Sequence, residues 1–204
     1  MEVVKIVNGK LSENAYLIYD ENRIGAVIDP GEQPEKIINE VNARGINVTH
    51  ILLTHGHFDH ISCTDAIKEK LGAKVCIYED DAICLGDPEY NLSGRFTDEL
   101  RLTAADVILK DGDEIKVGSM DIKVLHTPGH SKGSCSYIVQ NYIFSGDTLF
   151  YMSIGRVDLI GGSESDIQES LNKLKEFSDD YIVCPGHGQN TSIGFEKKHN
   201  DYMM

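Results

Sequence analysis

Short apolar runs separated by turn residues open the chain. Residues 3–7, 14–19 and 25–28 each carry Val, Ile, Leu or Tyr at strand spacing, and each predicts a β-strand. Asp29-Pro30-Gly31 predicts a turn. The period then changes. Over residues 33–44, Ile37, Ile38 and Val41 fall on one face of a helix, and Gly45 is placed to end it as a C-cap. Residues 50–53 predict a short buried strand, residues 60–71 a helix ending at Gly72, residues 74–78 a strand, and residues 79–85 a short helix. Pro88, Asn91, Ser93 and Gly94 mark residues 87–101 as a long surface connection.

From residue 107 the strand period dominates. Residues 107–109, 114–117, 120–125, 134–139 and 142–144 predict strands, several of them separated by Asp111-Gly112, Gly118-Ser119 and Gln140-Asn141. Residues 165–177 predict a helix capped by Ser165 with Gln168 at the third position, residues 181–184 a last strand and residues 194–200 a final helix. Strands followed by a helix, occurring twice, predict two similar α/β halves whose sheets pack together.

Composition narrows this picture. A chain of 204 residues, with no linker or tandem repeat, suits one domain over residues 1–204. Hydrophobic content of 41% and charged content of 25% are ordinary for a soluble protein. No apolar stretch is long enough to span a membrane. The first ten residues lack the basic start and apolar run of a signal peptide, so the expected location is cytoplasmic. A net charge of -14 repels a phosphate backbone and argues against a nucleic-acid partner. The five cysteines (Cys63, Cys76, Cys84, Cys135 and Cys184) are odd in number and form no C-x-x-C pair. Buried reduced thiols are expected, rather than disulfides or a thiolate zinc site.

The chemistry concentrates in Thr54-His55-Gly56-His57-Phe58-Asp59-His60. These three histidines and one aspartate follow the apolar run Ile51-Leu52-Leu53 directly and precede helix-like sequence. Imidazole and carboxylate together suit Zn, Fe or Mn. His55 and His57 share a side of an extended chain, whereas Asp59 and His60 fall on the turn and can face a second centre. Three more candidates, His130, Asp147 and His187, each follow an apolar strand and a glycine. That shared context predicts one rim of the sheets where the ligands meet. His50, His126 and His199 lie outside this pattern and are left out of the site.

His-x-His-x-Asp-His followed by these later ligands resembles the metallo-β-lactamase superfamily, in particular its glyoxalase II-like (hydroxyacylglutathione hydrolase-like) members. The likeness covers nearly the whole chain. It implies an αββα four-layer sandwich with the site between the sheets at one edge. It further implies two divalent metal ions, zinc first, with iron or manganese as alternatives. His55, His57 and His130 would hold one ion, Asp59, His60 and His187 the other, and Asp147 would bridge them. Two features depart from full-length glyoxalase II. No C-terminal helical segment of the kind that helps bind glutathione is expected, and Arg156 and Asp158 stand where the glutathione loop carries lysine and an aromatic residue.

The implied function is metal-dependent hydrolysis of a small-molecule thioester. Hydroxide made available by the metals would attack a polarised carbonyl, with Asp59 and Asp147 as ligands that also orient the water. Arg156 is the candidate for an anionic substrate group, against the alternative that it pairs with Asp158 and only shapes the loop. Three other activities share the scaffold: an iron-dependent persulfide dioxygenase using His55, His130 and Asp147, a lactonase, and a true β-lactamase. A non-catalytic binding protein is the remaining rival, and the presence of all seven ligands speaks against it.

Overall fold

The computed structural model describes residues 1–204. Its first six strands lie side by side in sequence order. β1 (Glu2–Asn8), β2 (Glu13–Tyr19) and β3 (Ile24–Ile28) form an antiparallel meander. α1 (Pro34–Arg44) then crosses over so that β4 (Asn47–Leu52) runs parallel to β3. Pro34 suits its first turn, where a missing N–H costs nothing, and Gly45 closes it with φ 63°. α2 (Phe58–Ile61) and α3 (Thr64–Leu71) lead to β5 (Lys74–Tyr78). A 3-10 segment (Glu79–Leu85) and α4 (Ser93–Phe96) precede β6 (Val107–Leu109).

The second sheet holds β7 (Glu114–Val117), β8 (Met120–His126), β9 (Cys135–Val139) and β10 (Tyr142–Gly146) as a meander. A small hairpin follows, β11 (Leu149–Phe150) with β12 (Ser153–Ile154). α5 (Glu164–Lys175) then returns the chain, so that β13 (Ile182–Pro185) lies parallel to β10, with β14 (Thr191–Ser192) at the edge before α6 (Ile193–His199).

Strand alternation creates the layers. In β2, Tyr16 and Ile18 face the other sheet and join a core with Val124, Tyr137, Phe144 and Cys184. The alternate residues Ala15 and Leu17 face the helices and pack with Ile37, Val41 and Ile67. On the far side Ile143 and Val183 pack against Leu171 and Leu174 of α5. The order is helices, sheet, sheet, helices, which is the expected αββα sandwich. All five cysteines are buried and unbridged, and burial pushes the Cys63 and Cys76 thiols up to about 12. No helix is long and apolar enough to cross a membrane.

Three local expectations need correction. The helix expected over residues 60–71 is two helices, broken at Ser62 and Cys63. The Cys63 N–H donates to the Gly31 carbonyl (2.7 Å) instead of continuing the helix. The break lets Asp59 and His60 turn inward while α3 buries Ile67. The cap of α5 is Ser163 rather than Ser165, because the Ser163 hydroxyl accepts from the Asp166 N–H, leaving Glu164 and Asp166 in the first turn. The connection over residues 87–101 contains α4, whose four residues are too few for a helical period to register.

Candidate metal centre

The site forms where strands end. Asp29 follows β3, residues 54–57 follow β4, His130 follows β8, Asp147 follows β10 and His187 follows β13. The sheets are tied together at this rim. The Cys135 N–H donates to the Thr54 carbonyl (2.8 Å), the Tyr137 hydroxyl to the Leu53 carbonyl (2.7 Å) and the Asn14 amide to the Pro185 carbonyl (2.8 Å). Glycine is needed where the chains approach most closely. A Cβ on Gly186 would lie 2.2 Å from Asp147 Oδ1 and 2.6 Å from His60 Cε1, and one on Gly56 would lie 2.3 Å from the Cys84 Cβ.

All seven residues predicted from the sequence come together here. Ligand atoms of His55, His57 and His130 lie within 4.8 Å of one another, as do those of Asp59, His60 and His187. Asp147 sits between the groups, with Oδ1 3.4 Å from His60 Nε2 and Oδ2 3.5 Å from His130 Nε2 and 3.6 Å from His187 Nε2. Six of these residues are buried, and His187 lies at the solvent edge. His126, set aside on sequence grounds, stacks on Tyr78 instead and bonds to the Lys132 carbonyl.

The hydrogen bonds fix the imidazole tautomers. The Arg156 carbonyl can only accept, so His130 Nδ1–H donates to it (2.8 Å) and Nε2 is left as a lone pair. His60 Nδ1–H donates to Asp29 Oδ2 (3.1 Å). The Thr54 hydroxyl donates to the same oxygen (2.6 Å), and so accepts from His55 Nδ1–H (3.1 Å). Nε2 of His55 and His60 then points inward as a bare acceptor. Nε2 of His55, His57 and His60 and Oδ1 of Asp147 are buried without a hydrogen-bond partner in the protein. Each such orphan costs about 1–3 kcal/mol. With His57 Nδ1 and His130 Nε2 facing each other at 2.8 Å, this buried set of lone pairs fits divalent cations, for which nitrogen and oxygen are the natural donors.

For His55 and His57 the electrostatics agree with this fit. Burial holds His55 and His57 well below the ordinary histidine value, the form that binds metal. Burial also pulls His60 down, but Asp147, Asp59 and Asp29 outweigh it and the net shift is upward. Asp59 is opposed by burial, yet His60 and His187 hold it well below the carboxylate range.

Three acids escaped sequence reading. Asp29, in a turn at the end of β3 with no glycine beside it, positions both His55, through Thr54, and His60. Asp81 accepts from the Gly56 N–H (2.9 Å), the Ser131 hydroxyl (2.6 Å) and the Gly133 N–H (2.7 Å), joining the two histidine loops. Glu13 is buried 4.0 Å from His60 Nδ1, where burial first of all keeps its carboxyl well above the usual range. No local signal marks Asp81 or Glu13.

The model of the metallo-β-lactamase superfamily matches residues 8–187. The chain belongs to this superfamily. Similar curated proteins include a probable metallo-hydrolase, YqgX of Bacillus subtilis (34% identical, 96% of this chain and 94% of that one), and the hydroxyacylglutathione hydrolase GloC of Haemophilus influenzae (32%, 94% and 92%). Among solved structures, the BLEG-1 B3 metallo-β-lactamase superposes with a TM-score of 0.96 at 36% identity, covering 100% of both chains. ETHE1 from Myxococcus xanthus superposes with a TM-score of 0.85 at 32% identity, covering 98% of this chain and 84% of that one. TTHA1623 in a di-iron-bound form gives 0.86 at 32% identity, covering 98% and 99%. As a superfamily metallo-hydrolase, the protein has a histidine-rich cluster able to hold divalent metal.

The cluster lies at the base of a cleft of about 860 Å³, a size suited to a small-molecule ligand. Arg156 lines the cleft, but its guanidinium is forked onto Asp158 through two 2.7 Å hydrogen bonds.

Proposed function

We propose that the protein is a binuclear metal-dependent thioester hydrolase of the hydroxyacylglutathione hydrolase kind, with residues 1–204 acting as one domain. The observation that carries this reading is the grouping of seven imidazole and carboxylate side chains, six of them buried, with His57, Asp59, His130, Asp147 and His187 lining the cleft. His55, His57 and His130 would hold one ion, Asp59, His60 and His187 the second, and Asp147 would be shared. Bound divalent metal supplies hydroxide at neutral pH and polarises the carbonyl under attack.

The chain's own residues do the rest. The Asp29 carboxylate and the Arg156 carbonyl hold the Nδ1 protons of His60 and His130, so the opposite nitrogens stay available. Asp59 Oδ2 lies 3.2 Å from His187 Nε2, so these two donors already stand side by side where they would share an ion. A thiolate leaves readily, which suits a cleft whose acids are taken up at the cluster, and the likeness to GloC supports the same chemistry.

The test is release of free thiol from S-D-lactoylglutathione, with metal content measured on the same sample. Turnover that disappears with a chelator and returns with metal is the expected result. Absence of turnover on every thioester by protein carrying two ions per chain would sink the reading. Asp29→Ala is expected to weaken metal affinity by about 10- to 100-fold, because two histidines lose their orienting partner. Unchanged affinity by metal titration would show that Asp29 positions nothing.

The likeness to ETHE1 and the Gly155-Arg156-Val157-Asp158 loop favour a second reading, an iron-dependent persulfide dioxygenase using His55, His130 and Asp147. Oxygen uptake with glutathione persulfide and one iron per chain would select it. The likeness to BLEG-1 makes a β-lactam the third substrate to offer.

A further inference from the structure

The walls of the cleft above the cluster differ sharply from its floor. Seven of its 18 lining residues are hydrophobic. Phe58 opens α2 one residue before Asp59, and its ring stacks on Phe96 of α4 with centroids 6.2 Å apart and planes 23° apart. Phe96 is 59% exposed, a large aromatic surface left facing the cleft and solvent. Leu92 continues this wall, and Phe150 stands edge-on to His187 across from it (6.0 Å, 88°).

This wall is built in. The Phe58 N–H donates to the Asn91 carbonyl (2.9 Å), so the segment bearing Leu92 and Phe96 is bonded directly to the helix that carries Asp59 and His60. The Asn91 side chain, itself fully buried, donates to the Cys84 and Leu100 carbonyls and accepts from the Ser93 N–H. An apolar platform is thereby held at a set place beside the cluster. Charge at the cleft is sparse by comparison. Lys10 and Arg156 are its cations, and Arg156 is taken up by Asp158. Glu32, Asp59 and Asp147 line the same cleft. A charged substrate arm has Lys10 to meet at one side of the cleft, and an aromatic ring would meet Phe96 and Phe58.

Resting on the thioester reading above, we propose that the cleft selects thioesters bearing an apolar group of aromatic size beside the scissile carbonyl. Phe96 and Phe58 are the specificity-determining residues. The apolar group can enter as the acyl part or as the thiol part, and the two are separable by substrate.

The test compares kcat/KM of the metal-loaded protein for acetyl, lactoyl and phenylacetyl thioesters of N-acetylcysteamine and for S-benzyl thioacetate. Alongside it, calorimetry measures binding of the corresponding ketones, in which CH2 replaces sulfur. Covering one aromatic face predicts a preference on the order of 10- to 30-fold for a phenyl-bearing substrate, and for its ketone in binding. Preference for the phenylacetyl ester places the ring in the acyl arm; preference for S-benzyl thioacetate places it in the thiol arm. Phe96→Ala is expected to lower the phenylacetyl-to-acetyl or benzyl-to-acetyl ratio by about 10-fold. Turnover with equal ratios, or ratios unmoved by Phe96→Ala, would overturn the selectivity. If no thioester turns over but the phenyl ketone still binds at least tenfold tighter than the methyl ketone, the selectivity stands and the thioesterase reading falls.

Discussion

Replacing His55 by alanine is expected to lower kcat/KM by more than about 100-fold and to shrink the rise in Tm produced by metal. His55 is fully buried and belongs to two of the three groups of candidate ligands, one with His57 and His130 and one with Asp29 and His60. Mutating groups that only orient a ligand costs about 10- to 100-fold, so losing a ligand in the middle of the cluster costs more. The thermal readout is independent of any substrate. At metal concentrations near a hundred times Kd, binding to the native state alone stabilises it by about 2.7 kcal/mol. The variant therefore gains less in melting temperature from metal than the wild type does, and elemental analysis finds fewer ions per chain. A His55→Ala protein with two ions bound and full turnover would remove His55 from the centre.

Asp81→Ala is expected to destabilise the fold by about 3–4 kcal/mol, although Asp81 lies outside the ligand cluster. Its carboxylate is buried, and Oδ2 receives both the Gly56 N–H and the Ser131 hydroxyl while Oδ1 receives the Gly133 N–H. Removing it strands those donors in a place water cannot easily reach, and each stranded donor costs about 1–3 kcal/mol. Replacement by asparagine restores only one acceptor and turns an amide N–H toward a backbone N–H, so it recovers part of the loss at most. Burial raises the Asp81 pKa and the three donors oppose that shift, so the carboxylate is held by its partners rather than by solvent. Urea denaturation of the metal-free protein measures the change without interference from ligand binding. An unfolding free energy within about 0.5 kcal/mol of the wild type would mean that the loops have other anchors.

These expectations draw on two different sources. The layers follow from local pattern, because a period of two in β2 assigns Tyr16 and Ile18 to one face and Ala15 and Leu17 to the other wherever the strand is placed. The candidate ligands were legible for a related reason. Their residue types are rare together, four of them crowd into residues 55–60, and His130, Asp147 and His187 each follow a strand and a glycine, a context written in adjacent residues.

What tertiary structure alone decided depends on partners far apart in the chain. Asp81 meets Gly56, Ser131 and Gly133 across 25, 50 and 52 residues, and no local pattern encodes such a meeting. The Cys63 N–H leaves its helix for Gly31, which is why the expected single helix is two. Arg156 could pair with a substrate or with Asp158 on sequence grounds, and the folded loop directs it to Asp158. Local periodicity dictates which face a side chain takes, but a hydrogen-bond partner is chosen only when packing brings distant chain together.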